Sequence, residues 1–94
     1  MTDRIVDNPD LQRFEMDVEG RTAFVVYRRA PGVVRLVHAE VPRELEGRGI
    51  GGRLVAATLE AVRQEGAKVV PGCSFVARYM REHAAAYADL IAER

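Results

Sequence analysis

Ninety-four residues, 48% of them apolar and 30% charged, describe one small globular domain rather than a disordered or fibrous chain. Fourteen Lys and Arg against fourteen Asp and Glu leave no net charge, which argues against general nucleic-acid binding, because that needs a basic surface. No apolar run nears the ~20 residues that span a bilayer. Met1 to Arg4 do not start a secretory leader. The single cysteine, Cys73, can neither close an intrachain disulfide nor anchor a multi-cysteine metal site, so a cytoplasmic location is the default expectation.

Residues 1–10 read as a flexible tail, since Asn8-Pro9-Asp10 is turn chemistry and nothing before it is periodic. From Arg13, the residues Phe14, Met16 and Val18 alternate with Arg13, Glu15, Asp17 and Glu19, the pattern of a half-buried strand. Glu19-Gly20 makes a tight turn into a second strand, Arg21 to Arg29, with Ala23, Val25 and Tyr27 on one side. Pro31-Gly32 turns into a third, β-branched strand from Val33 to Val41, which completes an antiparallel meander. Residues 1–20 carry two arginines against six carboxylates and residues 21–40 four arginines against one. This suits oppositely charged, solvated faces on neighbouring strands.

The period then changes to that of a helix. Leu54, Val55, Thr58, Leu59 and Val62 form one face, with Arg53, Glu60, Arg63 and Gln64 opposite, and Gly66 is a helix-ending C′ residue. Ala67 to Gly72 read as a short fourth strand, with Pro71 implying an edge or an irregularity. Val76, Tyr79, Met80 and His83 share a second helical face, and Tyr87, Leu90 and Ile91 carry a helical pattern to the end. The expected fold is therefore α+β: an antiparallel β-meander, then a βαβ unit with a right-handed crossover between parallel strands, then one or two C-terminal helices.

The stretch Leu45-Glu46-Gly47-Arg48-Gly49-Ile50-Gly51-Gly52-Arg53 joins a strand to a helix start. Glycines let backbone N–H groups approach an anion, and the helix start adds partial positive charge, so the segment outlines a phosphate cradle. A plain glycine turn would have the same composition. A nucleotide P-loop needs Gly-Lys-Ser/Thr, and Gly52 is followed by Arg53-Leu54. Gly47-x-Gly49-x-x-Gly52 satisfies the dinucleotide fingerprint. However, Val69 to Phe75 lack the acidic residue that fingerprint requires, and the chain is too short for its sheet.

Glu46-Gly47-Arg48-Gly49-Ile50-Gly51 resembles the pyrophosphate loop of the acetyl-CoA-dependent GNAT superfamily of acetyltransferases, with Glu46 where Gln or Arg is usual. The spaced stretches Val37-His38-Ala39-Glu40-Val41-Pro42, Val69-Val70-Pro71-Gly72-Cys73-Ser74-Phe75-Val76, Tyr79, His83 and Tyr87-x-Asp89-Leu90 are similar to the small single-domain YjdJ-type branch of that superfamily. Ala84-Ala85 stand where the branch commonly has a proline after His83. The resemblance implies a GNAT-like acetyl-CoA-binding domain over residues 11–94 that lacks the first helices lining the acceptor site of larger relatives.

The resemblance further implies transfer of an acetyl group from acetyl-CoA to a small-molecule or peptide amine, by a monomer or weak homo-oligomer with no metal, nucleic-acid or membrane partner. The pantetheine arm would pair with the strand end at Ala39 to Val41. Gly47, Arg48, Gly49, Ile50, Gly51, Gly52 and Arg53 would take the pyrophosphate, the arginines by charge-assisted contacts. A lysine-like amine has a pKa of ~10.4, so a nearby base helps to neutralise it at pH 7. His38, expected on the face of Val34 and Leu36, is the candidate. Cys73, ending the fourth strand before a helix, is the candidate proton donor to the leaving thiolate or an acetyl carrier. Tyr79 faces the cofactor or packs in the core, and His83 is a helix-end residue. His38 and His83 lack metal-ligand spacing with Cys73. The shortness of the chain also suits a non-catalytic acyl-CoA-binding module or partner subunit.

Overall fold

A computed structural model describes residues 4–92. Five strands form one sheet in sequence order: β1 (Val6–Asn8), β2 (Arg13–Val18), β3 (Arg21–Ala30), β4 (Val33–Glu40) and β5 (Lys68–Pro71). The first four are antiparallel neighbours, and β5 joins β4 in parallel after helix α1 (Ile50–Gln64). Helices α2 (Ser74–Glu82) and α3 (Ala84–Tyr87) follow.

The meander has its expected cause. Phe14, Met16, Ala23, Val25, Tyr27, Val34 and Leu36 occupy alternate strand positions, are all buried, and form one cluster with the inward residues of the helices. On α1 those residues are Leu54, Val55, Thr58, Leu59 and Val62, as the helical spacing predicts, together with Ile50. Val76 and Met80 serve the same purpose on α2. Both helices therefore cover one face of the sheet, and among the described residues no helix covers the other, open face. Helix α1 stops in a Schellman motif: Gly66 takes φ 78°, its N–H donates to Arg63 and the Ala67 N–H to Val62.

Two ends of the chain depart from the sequence reading. Part of the expected tail is an edge strand, β1, whose register places Val6 opposite Glu15 and Asn8 opposite Arg13. Its ties are long-range: the Tyr27 hydroxyl donates to Asp7 at 2.5 Å, and Arg29 bridges Asp7 at 3.1 Å and Glu65 at 2.5 Å. Burial first, and then the Asp7 carboxylate, push the Tyr27 phenol upward from its ordinary range. Residues 1–3 of the expected tail lie outside the described residues.

At the other end the helical pattern does not reach Ile91. Helix α3 stops at Tyr87, Leu90 is buried, and Ile91 forms a parallel bridge with Val69. The Val69 N–H donates to Leu90 at 2.7 Å and the Ala92 N–H to Val69 at 2.9 Å, covering the outer edge of β5. Asp89 and the Ala86 carbonyl accept from Arg63 of α1, at 2.8 and 2.6 Å, which ties this segment down. The break between α2 and α3 needs no proline: His83 leaves helical geometry at φ −124°, ψ 38°.

Among the described residues, Thr58 is the one buried side chain with an unpaired polar atom. It is fully buried and its hydroxyl has no hydrogen-bond partner among the described residues. Leaving such a group unpaired costs about 1–3 kcal/mol. Thr58→Val, of nearly the same shape, is expected to raise the melting temperature by about 4–8 °C per kcal/mol recovered, read by thermal unfolding. A lower melting temperature would mean that the hydroxyl is satisfied in solution.

Candidate functional site

The site begins where two parallel strands part. Pairing of β4 with β5 ends at Leu36 opposite Pro71, and its last bond runs from the Gly72 N–H to the Leu36 carbonyl at 2.8 Å. Beyond it β4 continues to Glu40 with β3 on one side and, among the described residues, no strand on the other, while the chain after Gly72 turns into α2. A slot opens between them, walled by backbone on the β4 side.

One residue decides what faces this slot. Val26 pairs with His38, but Tyr27 pairs with Leu36, so Val37 is an extra residue and β4 bulges there. The bulge reverses the alternation. His38 is therefore not on the face of Val34 and Leu36 as expected. It lies on the open face with Phe24, ring centroids 6.4 Å apart, and its Nε2 is 3.1 Å from Glu40 Oε1. The same shift turns Ala39 toward the core, against which Ala39 and Val41 are partly buried.

The glycine turn sits at the mouth of the slot. A single 3-10 turn, Arg43–Leu45, leads into it. Leu45 and Ile50 are both buried and pin its two ends, while Glu46 to Gly49 stand exposed between them. Gly47 and Gly49 adopt φ 82° and 73°, conformations that only glycine takes freely, and an added Cβ at either would point into open space. Gly49 is the N-cap of α1 and contributes no side-chain cap, so the first-turn N–H groups are not consumed by a side chain. Backbone N–H groups left open at a helix start are a favourable place for an anion.

The two arginines of this segment differ. Arg48 is clamped to Glu19 in the β2–β3 turn, with both guanidinium Nη groups on its carboxylate. The Glu19 contact raises the Arg48 pKa and lowers that of Glu19. Arg53 is exposed on the first turn of α1, near enough to Arg48 to oppose its charge.

Helix α2 closes the other side. Cys73, its N-cap, is partly buried against the core. Phe75, which the sequence reading did not select, stands 37% exposed with its ring over α1: a Cβ on Gly51 would meet it at 2.9 Å. Gly51 is thus small because an aromatic ring lies on it. The signal available was the i, i+4 spacing of Phe75 and Tyr79. Tyr79 lies one turn on, beside Gly52, stacked on His83 at 4.1 Å and next to Tyr87 at 6.0 Å. His83 caps α2 as expected, its Nδ1 2.8 Å from the Tyr79 carbonyl. Burial pushes the Tyr87 phenol up to about 12, so it stays neutral. Val41, Glu46, the glycines and Phe75 line a cleft of about 240 Å³.

The family profile described as GCN5-related N-acetyl-transferase matches residues 13–90, a span that holds the slot, the glycine turn and α2. The chain belongs to the GCN5-related N-acetyltransferases. The solution structure of a GCN5-like candidate N-acetyltransferase from Staphylococcus aureus agrees with it at a TM-score of 0.66 and 29% identity, over 97% of this chain and 89% of that one. Membership makes the domain an acetyltransferase by family and fold, and members of this family use acetyl-CoA. The residues present fit that group: an uncapped helix start, two glycines with open space before them, and a one-sided strand edge beside them. Among the described residues no helix is long and apolar enough to cross a membrane, and no group of three or more His, Cys, Asp or Glu is placed to hold a metal.

Glu46 is the one lining residue whose charge opposes an anion. Glu46→Gln is expected to tighten coenzyme A binding by about two- to fivefold, the size of one exposed charge interaction in water. Titration calorimetry at low and high salt checks it; an unchanged or weaker affinity would show that the carboxylate points away from the ligand.

Proposed function

We propose that this protein transfers the acetyl group of acetyl-CoA to an amine, in the manner of the small single-domain YjdJ-type branch. The observation that carries the reading is the parting of β4 and β5 at Leu36 and Gly72, directly beside the uncapped glycine start of α1. The Gly47 to Gly52 turn holds the diphosphate, with Arg53 and Arg48 nearby, and the one-sided edge of β4 around Ala39 to Val41 holds the pantetheine arm. Acetyl-CoA supplies the activated acetyl group as a thioester.

The amine approaches from the open face, where His38 stands beside Glu40. Its nitrogen forms the new C–N bond, His38 takes the proton it sheds, and the C–S bond breaks. Cys73, on the core side of the slot, gives a proton to the departing sulfur. Placing base and acid on opposite sides of the slot supports direct transfer over an acetyl-cysteine route. Tyr79 and Phe75 wall the diphosphate end.

Mixing the protein with acetyl-CoA and an amine panel, and following CoA release, tests the activity. The expected result is amine-dependent release with no stable +acetyl adduct in the intact mass. An adduct lost in Cys73→Ala would replace direct transfer by the acetyl-cysteine route. Calorimetric binding without turnover on any amine would leave an acyl-CoA-binding module.

A further inference from the structure

The β2–β3 hairpin holds an anomaly. Its two turn residues, Glu19 and Gly20, have φ 52° and 78°, the pair of positive values that a two-residue hairpin favours and that suits Asn or Gly, not Glu. A glutamate held in this region is backbone strain, and strain of this kind is kept where the side chain has work elsewhere. Here the Glu19 carboxylate reaches Arg48, Nη1 to Oε1 at 3.2 Å with a second, closer contact between Nη2 and Oε2. Arg48 is the one side chain between Gly47 and Gly49. A second ion pair from the same hairpin, Arg21 to Glu44 at 3.3 Å, reaches the 3-10 turn that leads into the glycines.

We propose that the β2–β3 hairpin is a brace for the glycine turn, and that Glu19, acting through Arg48, is a positioning residue for diphosphate binding. The proposal rests on the reading of that turn as the diphosphate site. Gly47 and Gly49, on either side of Arg48, can each take either sign of φ at nearly equal cost. The buried anchors Leu45 and Ile50 lie outside the exposed hump and do not choose between them. The Glu19 contact makes the choice before the ligand arrives, so the ligand is spared the cost of ordering the turn. The opposite sign is physically open: a carboxylate that merely neutralised Arg48 would weaken anion binding.

Glu19→Gly separates the two, because glycine is at ease at φ 52° and the hairpin persists, at least as stable as before. Under the brace, the dissociation constant for coenzyme A rises about two- to fivefold, as when the binding-competent turn falls to about a half or a fifth of the population. KM for acetyl-CoA rises with it, kcat at saturation holds, and Glu19→Gln, which keeps a hydrogen bond to Arg48, recovers part of the loss. In an Arg48→Ala background Glu19→Gly adds nothing. Without any ligand, backbone order parameters at Gly47 to Gly49 fall in Glu19→Gly. Unchanged order parameters, or coenzyme A bound equally or more tightly by Glu19→Gly, overturn the brace. A wild-type protein that binds no coenzyme A removes the diphosphate reading instead, and the order parameters still decide whether the hairpin orders the turn.

Discussion

Leu36→Ala is expected to remove about 2–5 kcal/mol of folding stability, a large part of the roughly 5–15 kcal/mol that holds a domain together. Leu36 is fully buried, and it is the last β4 residue with a strand on both sides: Tyr27 faces it across β3 and Pro71 across β5. Strands held on both sides cannot close in on the missing methyl groups, so the cavity persists. The residue also accepts the Gly72 N–H that ends the parallel pairing, so the slot widens as the packing loosens. Urea unfolding should show a lower midpoint with an unchanged slope. A loss under about 1 kcal/mol would mean that the β4–β5 junction is not part of the tight core.

His38→Ala is expected to lower kcat about 10²-fold or more near neutral pH, within the usual reach of general base catalysis, while coenzyme A affinity stays as it was. The pH profile carries the diagnosis. An acceptor amine of pKa ~10.4 is almost wholly protonated at pH 7 and needs a base, but above pH 9.5 a sizeable fraction is already neutral. The deficit of the variant should therefore shrink as pH rises. A deficit constant in pH would assign His38 to packing on Phe24 or to acceptor docking. Cys73→Ala should give a comparable loss; full activity in both variants would remove both roles.

Strand parity put His38 with Val34 and Leu36, because parity assumes no extra residue. Val37 is β-branched and sits equally well in regular strand or bulge, so nothing local marks it. Only the cross-strand register, with Val26 at His38 and Tyr27 at Leu36, shows the slip. The strand Val6–Asn8 was missed for a related reason. It is short, mostly exposed and held by Tyr27 and Arg29, which lie about twenty residues away along the chain.

Local pattern was sufficient where one element's own residues decide the outcome. The alternation of β2 and β3, the buried stripe of α1, the Schellman glycine at 66 and the glycine turn that opens α1 follow from side-chain period and from backbone freedom, both written within a few residues of one another. Tertiary structure decided the rest. The bulge that turns His38 outward, Phe75 lying on Gly51, and Glu19 holding Arg48 from twenty-nine residues away each depend on which surfaces meet when the sheet and helices pack. Such meetings are set by the free energy of the whole core and not by any short stretch of the chain.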